Sequence, residues 1–165
     1  MKATEVLKLA LENSRNWNMG LLNDMKDAAL TQPTPKGGNH PLWVLGHLTH
    51  SEAHLLDVFI LGQENRFPEL AEKFGMGTEP TIDAADYPSF DELMEKNERI
   101  RAAVMEHLST LSDDDLDKST NVPEEQKAFF GTVAAAFVAM TTHYGFHTGQ
   151  IADARRAAGR PPLMA

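Results

Sequence analysis

Two histidines four residues apart, His143 and His147 in the run HYGFHTGQ, stand inside a helical pattern rather than at a helix end. At that spacing the two rings lie about 40° apart around a helix and about 6 Å apart along it, so both can converge on one ion. A second run, NHPLWVLGHLTHSEAHLLD, adds His40, His47, His50 and His54. Neutral imidazole is a good ligand for nickel, copper and zinc. The chain has no cysteine, so any metal here must be held by nitrogen and oxygen, and disulfides and thiolate chemistry are excluded.

The spacing alone is a weak signal, because H-x-x-x-H arises by chance and core histidines are often simply hydrogen-bonded. Position sharpens it. His147 continues the apolar stripe of Val133, Phe137, Met140, Tyr144 and Ile151, and His143 borders it. Burying two neutral imidazoles without partners is costly, and facing helices of a bundle commonly build metal sites between them. The pair calls for a third ligand from another helix. Around the second helix, His47 and His54 are nearly in line, two turns apart, whereas His50 rotates toward the side of Asp57 and is expected to face solvent. The geometry leaves His47 and His54 both open.

Other chemistries find no support. H-E-x-x-H is absent, and HSEAH carries its glutamate at the wrong position for it. No E-x-x-H occurs, which removes the di-iron carboxylate bundle. There is no G-x-S-x-G and no phosphate-binding glycine loop. The eight methionines read as adaptable core filler, and Trp17 and Trp43 as core or interface anchors.

Four long helical patterns must position these residues. The first runs from about Thr4 to about Leu30, with Leu7, Ala10, Leu11, Ser14, Trp17, Leu21, Met25 and Ala28 on its buried face. TQPTPKGGN then breaks the chain. The second opens near Asn39 as N-cap, with Pro41 in its first turn, and runs to about Leu61. A long connector follows, with a short helix bracketed by Pro68 and Gly75. The third begins at Ser89, where Glu92 completes a capping box, and runs through Leu111. The fourth spans roughly Phe129 to Ala158, ended by Gly159, Pro161 and Pro162. The expected fold is all-α: a four-helix bundle with a long connector between helices two and three, formed by residues 1–165 as one domain.

The bulk properties narrow the partners. The 165 residues carry 15 basic and 24 acidic side chains, a formal charge of −9. That balance argues against nucleic acid and against an anionic membrane, both of which need clustered Lys and Arg. Glu5 and Glu12 interrupt any signal-peptide run, and no stretch approaches the ~18 apolar residues of a membrane span. A cytoplasmic protein is the expectation.

With these residues assembled, the chain resembles the DinB-like family of metal-binding bundle proteins. The resemblance rests on WVLGHLTHSE at the start of the second helix and HYGFHTGQIADARR on the last, with GRPPL near the end and FGMG in the connector. It implies a four-helix bundle with a three-histidine site made by His47, His143 and His147. It also implies one divalent ion, nickel or zinc, with coordination positions left for water or substrate. Some family members act as transferases or isomerases with a low-molecular-weight thiol, and homodimers are frequent. The additional histidines His50 and His54 depart from the family pattern. Three roles are open to them: a fourth ligand that closes the site, hydrogen-bond donors behind the ligands, as for Gln150 one turn after His147, or surface residues with no part in it. Asp153 is a further candidate contact.

No catalytic base and no thiol-binding signature is legible. Three functions stay in view: a metal-dependent transferase or hydrolase acting on a small molecule or thiol, a non-catalytic metal-binding or stress-linked dimeric bundle, and a metal-free helical interaction module.

Overall fold

In the computed structural model, which describes residues 1–32, 38–161 and 163, the chain is all-helical, with six α-helices and no β-strand among those residues. The helices are α1 (Ala3–Asp24), α2 (Pro41–Ala53), α3 (Ala71–Phe74), α4 (Phe90–Thr110), α5 (Lys127–Phe130) and α6 (Val133–Ala157). Six stand where four long helices and one short one were expected. α3, four residues long, is the short helix expected between Pro68 and Gly75, and α5, also four residues long, is a separate turn where the last helix was expected to have begun. Most of the TQPTPKGGN break, and Pro162, lie outside the described residues.

Local chemistry sets the boundaries. α1 ends at Asp24, short of the expected Leu30. Asp113, far along the chain, accepts from the backbone N–H groups of Ala3 and Thr4 at its start. α2 is capped by His40 rather than Asn39: the ring Nδ1 accepts from the Trp43 N–H at 3.0 Å, and Nε2 donates to the Thr81 carbonyl at 2.9 Å. Pro41 sits in the first turn, where its missing N–H costs nothing. Ser89 and Glu92 form the expected capping box of α4. α6 starts at Val133, four residues later than expected. Thr132 is extended there, and its hydroxyl accepts from the Ala135 N–H. Gly159, at φ +74°, ends that helix in the left-handed region glycine favours.

After Ala53 the α2 ladder widens into a π-helical segment, His54–Ile60. The turn is tied down on two sides. Arg66 grips the buried Asp57 carboxylate through Nε and Nη2, and the Asn121 backbone and side-chain N–H groups donate to the Phe59 carbonyl at 2.7 and 3.1 Å.

α1 packs chiefly on α6, and α2 on α4. Leu11, Leu22, Leu45, Leu48, Leu93, Val104 and Phe137 are fully buried between them. Trp17 is an exception to the expected α1 stripe, at 59% exposure. It stands about 120° around the helix from Leu11, whereas Asn18 stands within about 20°. Asn18 occupies the core side because its amide donates to the Tyr144 carbonyl and to the Thr148 hydroxyl.

A buried polar cluster crosses the interior. Arg101 of α4 lies 2.9 Å from Glu52 of α2, both nearly inaccessible, and its guanidinium sits 4.9 Å over the Tyr144 ring of α6. Asn97 donates to the Tyr144 hydroxyl and to Thr49. Burial holds the Glu52 carboxyl above its ordinary pKa, with Arg101 and Tyr144 opposing. Such a cluster adds little net stability but is costly to break, because removing either Glu52 or Arg101 leaves the other as an unmet buried charge. No helix among the described residues is long and apolar enough to cross a membrane.

Candidate metal centre

The site begins with a glycine. Gly46 lets the ring of Phe74, on α3, lie directly against α2: a Cβ there would be 2.2 Å from a ring carbon. That approach brings the Phe74 carbonyl to His47, whose Nδ1 donates to it at 2.7 Å. The preceding carbonyl, of Lys73, accepts from the Trp43 indole N–H at 3.0 Å. Trp43 in turn stacks on the His47 ring, with centroids 4.5 Å apart and planes 11° apart. The connector thus fixes the orientation of His47 through two backbone oxygens.

α6 supplies the other side. His147 Nδ1 donates to Gln150 Oε1 at 2.7 Å, and Asn39 donates to the same oxygen at 3.4 Å. With Nδ1 protonated on both His47 and His147, each ring turns a bare Nε2 lone pair toward His143. The Nε2 of His143 lies 3.1 Å from that of His47 and 2.9 Å from that of His147. A neutral His143 can place at most one proton along these two contacts. The other contact then brings two lone pairs together, which a cation relieves. The three histidines each offer a ligand atom within 4.8 Å of the others, and together they could hold a metal ion. Among the described residues no other such cluster occurs.

The electrostatics suit a cation as well. Burial lowers the His143 pKa to about 3, helped by His147 and His47. Burial lowers that of His147 to about 4, against the pull of Gln150. His47 is lowered for the same reason. All three rings are neutral at pH 7, the form in which imidazole binds a metal without first losing a proton.

His50 and His54 do not join this group. Both line an adjacent cleft of about 950 Å³, together with His47 and His143. His50 is half-buried rather than solvent-facing. The connector folds back over that side of α2, with Asn65 donating to the His50 carbonyl and Arg66 covering Asp57. Asp153 points elsewhere, pairing with Arg156 on an exposed face.

Sequence reasoning missed the parts that act through backbone or packing. Phe74 contributes a carbonyl, which no side-chain pattern reveals, although FGMG had stood out. Gly46 could have been noticed as a glycine inside an otherwise apolar helical run. Glu52 and Arg101 could have been found as charges on core-facing positions, Arg101 lying beside Ile100 and one turn before Met105 and Val104's stripe.

No curated protein matches the chain. The sequence profile of the DinB superfamily matches residues 10–151, a span that holds the His47 and His143–His147 segments, both Gly46 and Phe74, and Gln150. The chain belongs to the DinB superfamily.

Proposed function

We propose that the protein binds one divalent metal ion through His47, His143 and His147 and is an enzyme that activates a small nucleophile, a thiol or water, against an electrophile held in the neighbouring cleft. In this reading the four long helices act as a four-helix bundle, with α3 and α5 as parts of its connections. The observation that carries it is the meeting of three Nε2 atoms whose protons cannot satisfy both contacts.

Three neutral imidazole nitrogens suit nickel and zinc alike, and either ion is within this reading. A divalent ion so held supplies Lewis acidity, lowering the pKa of a thiol or water beside it.

The chain's own residues do the rest. Phe74 and Gln150 fix the tautomers of His47 and His147. Trp43 shields one face of His47 from water, and the cleft offers a substrate a mostly apolar wall that opens onto His47 and His143. The exposed Trp17 and Leu9 of α1 support self-association, with a homodimer as the proposed state.

The test is the metal content of untagged protein purified without a chelating column, with folded His47→Ala and His143→Ala variants alongside. About one equivalent of nickel or zinc in the parent, lost from both variants, supports the reading. A parent that stays empty after reconstitution with both ions refutes it.

A further inference from the structure

The cleft beside the triad carries no charge of its own. Among the described residues, none that lines it is Asp, Glu, Lys or Arg, although 24% of the chain's residues are charged. α2 and its π-helical extension contribute Leu55 and Phe59, and α5 and α6 contribute Phe129, Phe130, Val138 and Phe146. Beyond the triad, the polar groups on its surface are Ser51, Gln126 and Thr142, together with His50 and His54, whose pKa values burial lowers so that the rings are uncharged at neutral pH.

Two of the rings are spread open to water: Phe129 is 72% exposed and Phe146 67%. Exposed aromatic rings flanking a concave apolar surface gain free energy when an apolar body covers them. A carboxylate or phosphate in this cleft would lose hydration with no cation to receive it, and an ammonium group would find no carboxylate.

We propose that the cleft receives an uncharged, mainly apolar small molecule, seated against Phe129 and Phe146, with its one polar or reactive group at the His47–His143 end. The exclusion of charge applies to the body of the ligand. At the triad end an anionic donor would be welcome if an ion is held there. This inference rests on the proposed function for which end reacts, but the selectivity of the cleft stands on its lining alone.

The test is isothermal titration calorimetry of the full chain after chelator treatment, with 2-naphthylmethanol and 2-naphthylacetate as probes. The alcohol is expected to bind, and the carboxylate at least about tenfold more weakly. Val138→Asp, at a half-exposed position, should weaken the alcohol about tenfold, since it places a charge in the lining. Ala139→Trp, which fills the cleft, should abolish binding, with circular dichroism confirming the fold. Should Ala139→Trp fail to fold, Val138→Asp still gives the answer.

Equal binding of the two probes, no binding of the alcohol up to its solubility, or indifference to Val138→Asp would overturn the proposal. Metal content measured on the same preparations before chelation keeps the two readings apart. An empty protein that binds the alcohol loses the metal reading and keeps this one. A loaded protein that binds both probes alike does the reverse.

Discussion

Tyr144 donates its hydroxyl proton to Glu52 across the α2–α6 interface, with Oη and Oε2 2.7 Å apart. The contact joins the two helices that carry the triad, five residues beyond His47 on one and directly after His143 on the other. Neither group has water to fall back on, since both are nearly inaccessible. Burial and the Glu52 carboxylate both raise the tyrosine's pKa, so it stays a donor at every pH the protein meets.

Tyr144→Phe is therefore expected to destabilise the fold by about 1–3 kcal/mol, the range for a buried acceptor left unmet. Glu52→Leu should cost more, about 3–5 kcal/mol, because Arg101 would remain as an unpaired buried charge. Urea unfolding followed by circular dichroism measures both. Equal stability of Tyr144→Phe and the parent would show that the hydroxyl finds no use in the fold.

Gly46→Ala should act on the site through α3. The new methyl group would collide with the Phe74 ring, which is fully buried and so has nowhere to move without carrying its carbonyl away from His47. Overpacking of this kind costs about 1–3 kcal/mol. Metal affinity, read by competition with a fluorescent chelator, should fall with it, while Gly20→Ala, where a Cβ meets nothing within 4 Å, should leave affinity unchanged.

Gln150→Leu removes the acceptor for His147 Nδ1 and frees that ring to change tautomer. Loss of such a partner to a ligating histidine typically weakens metal binding about 10–100-fold. Gln150→Glu keeps an acceptor in place and should retain most of the affinity. The same chelator competition, run on both variants, checks the pair. If Leu and Glu behave alike, the hydrogen bond does not orient the ring.

The metal-free protein should lose stability as pH falls. His143 and His147 titrate at about 3 and about 4 in the folded chain, against an ordinary 6.5. Between those limits the unfolded chain binds more protons, so stability is complete above about pH 6.5 and declines toward pH 4 and below. Glu52 opposes the trend. Its raised carboxyl pKa makes the folded chain the one holding more protons above 4.5, and its contribution is lost as pH rises. Melting temperatures at pH 7.5, 5.5 and 4.5, compared with those of a His143→Gln variant, should show a shallower decline in the variant.

What the sequence made legible was whatever repeats with the period of a helix. The α6 stripe from Val133 to Ile151 is buried as expected, and the capping box at Ser89 and Glu92 forms. The spacing of His143 and His147 is enough to make their rings meet. The errors share a cause, which is that tertiary partners outbid local preference. Trp17 is the more apolar residue, yet Asn18 is buried because α6 offers it two acceptors. His50 looked exposed because the connector that covers it has no periodicity from which its path could be read. His40 looked like one more candidate ligand and instead caps α2, since its ring reaches both Trp43 and Thr81.

The pairing of α1 with α6 has a consequence for how the chain is made. α1 takes its main partner from α6, through contacts such as Asn18 with Thr148 and Asp24 with Arg155. Until some 120 further residues have left the ribosome, at about 5–20 residues each second, Leu7, Leu11 and Leu22 lie on a helix that has only α4 to pack against. The emerging chain therefore carries much of that apolar face uncovered for several seconds or longer, an exposure the folded protein does not have.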